Sequence, residues 1–102
     1  MEFEMAKKDK KQSQICIVTI TGKDKVGIIA KVSNAMANVN VNIVDVNQKI
    51  MEDYFVMTMA CDIAKASVGI EQIQQKLAKI AKDMELMITL QHEDIFKMMH
   101  RV

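Results

Sequence analysis

The stretch Thr19-Ile-Thr-Gly-Lys-Asp-Lys-Val-Gly-Ile-Ile-Ala-Lys-Val32, followed by Asn40-Val-Asn-Ile-Val44, decides the fold. It reads as a strand, a glycine-bearing loop, a helix, and a second strand entered through asparagines. The β-branched run Ile15–Thr21 carries Cys16, Val18 and Ile20 on one face and Ile15, Ile17, Thr19 and Thr21 on the other. Gly22–Val26 is polar and reads as a loop. Ile28, Ile29, Val32, Ala35, Met36 and Val39 then recur at helical spacing and predict an amphipathic helix. A loop of this kind leaves backbone N–H groups free at a helix N-terminus, where a carboxylate or phosphate can sit.

Working outward, Val41–Gln48 predicts the second strand and Tyr54–Ile63 the third, joined by a hairpin at Met51-Glu-Asp53. The third alternates clearly, with Phe55, Met57, Met59, Cys61 and Ile63 on one side and Tyr54, Val56, Thr58, Ala60 and Asp62 on the other. A second helix is expected from Ile70, Ile73, Leu77, Ile80, Ala81 and Met84, with Ser67 as its cap. Leu86–Gln91 is the fourth strand. Glu93–Val102 predicts a short amphipathic helix with Ile95, Phe96, Met99 and Val102 inward.

The order β-α-β-β-α-β implies an α+β ferredoxin-like sandwich, in which a four-stranded antiparallel sheet carries two helices on one face, plus a short C-terminal helix. The expected organisation is a flexible charged tail over 1–14, one domain over 15–91, and the helix over 92–102. The sheet face away from the helices would display Ile15, Ile17, Val56, Ala60 and Met87 with Thr19, Tyr54, Thr58 and Thr89. A face this apolar usually marks an interface. A homodimer is therefore expected, with this face or an edge strand in the contact.

Composition narrows the function. The chain has 102 residues, one domain's worth, and a formal net charge of +1. Ten basic and ten acidic residues lie between Ile15 and Val102, so the folded part is neutral and lacks the basic excess of a nucleic-acid binder. Cys16 and Cys61 fall in apolar strands without CxxC spacing and read as small buried hydrophobes. There is no apolar run of the ~20 residues needed to span a bilayer. No signal-peptide pattern opens the chain. The expected setting is cytoplasmic, with no membrane partner.

Gly22-Lys-Asp-Lys-Val-Gly-Ile-Ile29 followed by Val41-Asn-Ile43, in β-α-β order, resembles the ACT domain family of small regulatory modules that bind amino acids in dimers. The ending His92-Glu-Asp-Ile-Phe-Lys-Met-Met-His-Arg-Val102 resembles stand-alone ACT proteins of unassigned function, themselves similar to repressor-like ACT proteins of the glycine cleavage system. The resemblance implies a ligand site between the first loop and the partner subunit. Asp24, Gly27 and Asn42 stand at the family's ligand-facing positions, with Ile28, Ile29 and Ile43 beside them. Val26 departs from the proline often found there.

The chemistry of these residues suits those roles. Gly27 allows close approach of a ligand to the backbone. The N–H groups of Gly27, Ile28 and Ile29 can meet a carboxylate. Asp24 can accept from an ammonium group, and Asn42 both donates and accepts. The structural alternative is that Gly27 serves only the turn, Asp24 only caps the helix, and Asn42 only bonds neighbouring backbone.

His92, Glu93, Asp94 and His100 are chemically suitable metal ligands, but the two histidines are roughly 12 Å apart along one helix. Glu93 and Asp94 more simply favour a helix N-terminus. No metal site and no cofactor is expected. An RNA-binding sheet would need stacking aromatics, and only Tyr54 is available. A phosphate-binding enzyme would need an arginine near a loop, and the sole arginine is Arg101. The expected function is a non-catalytic regulatory module that binds an amino acid or similar small carboxylate at a homodimer interface and signals to a protein partner. A dimeric interaction module without ligand is the alternative.

Overall fold

The computed structural model describes residues 13–99. The N-terminal tail to residue 12, with its four lysines, and the last three residues, His100 and Val102 among them, lie outside the described residues.

The elements are β1 (Ile15–Lys23), α1 (Ile28–Asn38), β2 (Asn42–Met51), β3 (Tyr54–Asp62), α2 (Ile70–Met84), β4 (Leu86–His92) and α3 (Glu93–Met99). The strands form one antiparallel sheet in the order β2-β3-β1-β4. This is the ferredoxin-like arrangement expected from the alternating patterns. Strand β1 lies at the centre. It pairs Ile20 with Met57 on one side and with Ile88 on the other.

The helix-covered face of the sheet is the core. Cys16, Val18, Ile20, Phe55, Met57, Met59 and Cys61 are buried there beneath Ile28, Val32 and Met36 of α1 and Ile73 and Leu77 of α2. With few aromatics, the interior is filled by aliphatic side chains and adaptable methionines. Cys16 and Cys61 are register partners on adjacent strands, both fully buried and both reduced. Burial pushes both thiols up, Cys61 to about 11, so they stay protonated at neutral pH.

Several local expectations are corrected. Strand β1 continues through Gly22 and Lys23 rather than ending at Thr21, because Gly22 pairs with both Phe55 and Leu86. A Cβ on Gly22 would stand 2.6 Å from Leu86 Cδ2, so the glycine serves close packing within the sheet. Ile29 is 44% exposed and does not join the α1 core stripe of Ile28, Val32 and Met36. Ser67 does not cap α2. Its N–H donates to the Val39 carbonyl at 2.8 Å, and the helix starts two residues later with Gly69 as N-cap. The Gln72 side chain takes the Gly69 N–H at 3.3 Å, one half of a capping box.

The open face carries the residues the alternation assigned to it. Its central row is Asn47, Thr58, Thr19 and Thr89, more polar than its apolar members suggest. Helix α3 packs against β1 and β4, where Gln91 Nε2 meets Met99 Sδ at 3.1 Å. Ile95 and Met99 remain exposed, against expectation, because so short a helix reaches only the corner of the sheet.

Candidate functional site

The loop between β1 and α1 is held on two sides. The Asp24 N–H donates to the Asp53 carbonyl at 2.8 Å, which ties the loop to the β2–β3 hairpin tip. Lys25 Nζ donates to the Met84 carbonyl and meets Glu85 Oε1 at 3.4 Å, which anchors it to the C-terminus of α2. A cation there also suits the negative end of that helix.

These anchors leave Asp24, Val26 and Gly27 exposed. Gly27 takes φ 94° and ψ 1°, a left-handed conformation that L side chains rarely adopt. A Cβ there would meet nothing within 4 Å, so the backbone angle, not crowding, calls for glycine. The first turn of α1 closes through Lys31 N–H to the Gly27 carbonyl at 2.9 Å. The preceding N–H groups of the turn, those of Ile28, Ile29 and Ala30, have no helical acceptor. No side chain caps this helix, so the capping alternative for Asp24 does not apply. The result is a small electropositive backbone cluster next to a carboxylate with no hydrogen-bond partner among the described residues.

Asn42 lies at the other end of the sheet. It pairs with Asp62, which in turn pairs with Ile15, whereas Lys23 pairs with Tyr54. Eight residue steps along β1 separate these rows, roughly 27 Å at antiparallel rise. One chain therefore brings Asp24, Gly27, Ile28 and Ile29 together but leaves Asn42 and Ile43 apart from them. The Ile43 side chain packs against the core, leaving only its backbone for a ligand.

Around Asn42 is an open cavity of about 750 Å³, lined by Gln14, Asn40, Asp62, Lys65 and their neighbours. Asp62 Oδ1 accepts from the N–H groups of Gln14 and Ala64, both at 3.0 Å. Asn40 takes φ 61° after the end of α1, and its Nδ2 donates to the Lys65 carbonyl at 2.8 Å. Sequence reasoning missed this cavity because its walls converge from α1, β2, β3 and the segments beside them, which are far apart in sequence. Only Asn40, an asparagine just past a helix end, gave a local signal.

Among the described residues no three His, Cys, Asp or Glu side chains gather to hold a metal ion. His92 Nδ1 accepts from the Asp94 N–H at 3.2 Å, a local turn contact. No helix among the described residues is long and apolar enough to cross a membrane.

Residues 14–91 match the sequence pattern of the ACT domain. The chain belongs to the ACT domain family. A UPF0237 protein of Listeria monocytogenes is 44% identical to this ACT protein over 86 residues, covering 84% of this chain and 97% of the relative. Among solved structures, an ACT domain protein from Streptococcus pneumoniae matches with a TM-score of 0.70 at 27% identity, covering 83% of this chain and 96% of that one. A proposed glycine cleavage system transcriptional repressor shares the ACT fold with a TM-score of 0.68 at 18% identity, covering 78% of this chain and 46% of the other.

Proposed function

We propose that this ACT protein is a cytoplasmic regulatory module that binds an amino acid, or a similar small carboxylate, at the interface of a homodimer. It passes the bound state to a protein partner and catalyses no reaction. The observation that carries this reading is the Gly27 turn, which sets backbone N–H groups without helical acceptors beside an exposed aspartate whose carboxylate has no hydrogen-bond partner among the described residues. A zwitterion has the matching charges. Its carboxylate meets the N–H groups of Gly27, Ile28 and Ile29, and its ammonium meets Asp24. Asn42, with the Ile43 backbone, completes the site from the partner subunit, since within one chain it lies at the far end of the sheet.

A thermal-shift screen against the twenty amino acids and a few small carboxylates tests this. A ligand present at 100 times its dissociation constant and bound only by the folded state adds about 2.7 kcal/mol. In a domain of this size that raises the midpoint by about 10 °C or more. The expected shift disappears in Asp24→Ala and in Asn42→Ala. No shift with any compound would transfer the reading to a dimeric interaction module without ligand.

A further inference from the structure

The cavity at the Asn42 end of the sheet lies where the last turn of α1, the start of β2 and the end of β3 come together. At about 750 Å³ it has the size of a small-molecule site. Two short side chains in its wall, Ala37 and Ala64, help to keep it open.

Most of the remaining wall is made of hydrogen-bonding groups, those of Gln14, Asn40, Asn42, Asp62 and Lys65. Several are already fixed in place. Asp62 Oδ1 holds the N–H groups of Gln14 and Ala64, both at 3.0 Å, and its other oxygen accepts nothing among the described residues. Asn40 gives its Nδ2 to the Lys65 carbonyl at 2.8 Å, which sets the direction of its amide and leaves the amide oxygen as an acceptor. The carboxamides of Gln14 and Asn42 make no hydrogen bond among the described residues, so each offers both a donor and an acceptor.

We propose that this cavity takes the side chain of the ligand, which is therefore an amino acid with a neutral hydrogen-bonding side chain, a carboxamide or a hydroxyl. This rests on the proposed function, in which Asn42 touches the ligand. Asn42 is part of the cavity wall, so a ligand held by it has the cavity beside it.

Two physical arguments select the class. A hydrocarbon side chain would drive water from the amides and the Asp62 carboxylate and give them no partner in return. A charged side chain would lose its own hydration in a wall that carries one carboxylate and one ammonium, where attraction to one is offset by repulsion from the other. A carboxamide or hydroxyl carries no charge, and it both donates and accepts. It can donate to the Asp62 and Asn40 oxygens and accept from the Gln14 and Asn42 amides.

Calorimetric titration of the full chain with amino acids of matched shape tests this. Asparagine should bind roughly tenfold or more tightly than leucine, and threonine than valine, since one net hydrogen bond is worth about that factor. Glutamine should bind more tightly than glutamate or lysine. Gln14 lies exposed just before β1, and Gln14→Leu should reduce the asparagine-to-leucine ratio severalfold. Glycine supplies the zwitterion with no side chain and serves as the control. Leucine or valine binding as tightly as its polar counterpart, a charged residue binding more tightly than glutamine, or an unchanged ratio in Gln14→Leu overturns the cavity assignment. If glycine still binds in that case, the regulatory reading stands without it. If no amino acid binds, both fall together.

Discussion

Ile20→Ala is expected to destabilise the protein by about 3 kcal/mol and to lower its melting midpoint by roughly 15 °C. Ile20 is fully buried in the central strand, between Met57 of β3 and Ile88 of β4. Both neighbours sit on paired strands whose spacing the hydrogen-bond ladder fixes, so the backbone cannot close the gap. The loss combines the transfer energy of the removed methyls with the cavity they leave. Urea unfolding at fixed protein concentration measures it, because the proposed dimerisation would make apparent stability concentration-dependent. A loss below about 1 kcal/mol would mean that the methionines beside Ile20 refill the space, and that this part of the core is far more plastic than its burial indicates.

Gly22→Val is expected to cost about 2–3 kcal/mol through overpacking. A Cβ at Gly22 already approaches Leu86 Cδ2 to 2.6 Å and lies 3.4 Å from the Glu85 carbonyl oxygen. Valine adds two methyls in the same narrow space, between strands paired on both sides. Because the close contact is with one side chain, Leu86→Ala should relieve part of the cost in the double variant. Strict additivity of the two substitutions would show that Leu86 is not what limits the space.

The fold was largely legible because the two inner strands, β1 and β3, alternate cleanly. The run Phe55, Met57, Met59, Cys61 is buried at every second residue, as its pattern requires. Where legibility failed, contacts distant in sequence had decided the outcome. Nothing near Gly22 signals that Leu86 will press against it from β4. Ser67 is a good cap by residue type, yet the Val39 carbonyl claims its N–H and the helix starts later. Ile29 fits the helical stripe in spacing, but its side chain stays exposed.

Of the proposed site, only the local half has a grouping that follows from sequence spacing. Gly27 and Asp24 sit four residues or fewer from the start of α1, so their nearness to each other follows from sequence spacing. Asn42 could be named from its position in the motif. Its separation from the loop by the length of the sheet came only from the register of β1, β3 and β2. In the proposed function that separation makes the site a property of two chains rather than one. Under the proposed function, a ligand that bridges two subunits would stabilise one arrangement of them, and a partner would read that arrangement.

Subunit mixing tests this most directly. Asp24→Ala and Asn42→Ala each remove one half of every site in their own homodimer, and neither alone should bind the ligand identified by thermal shift. Mixed in equal amounts and allowed to exchange subunits, they form heterodimers in which one site keeps both wild-type halves. Calorimetric titration of the mixture should recover about a quarter of the wild-type sites at wild-type affinity, as random pairing of two-fold dimers requires. No recovery on mixing, with subunit exchange demonstrated, would contradict a ligand site shared between the Asp24 loop of one subunit and Asn42 of the other.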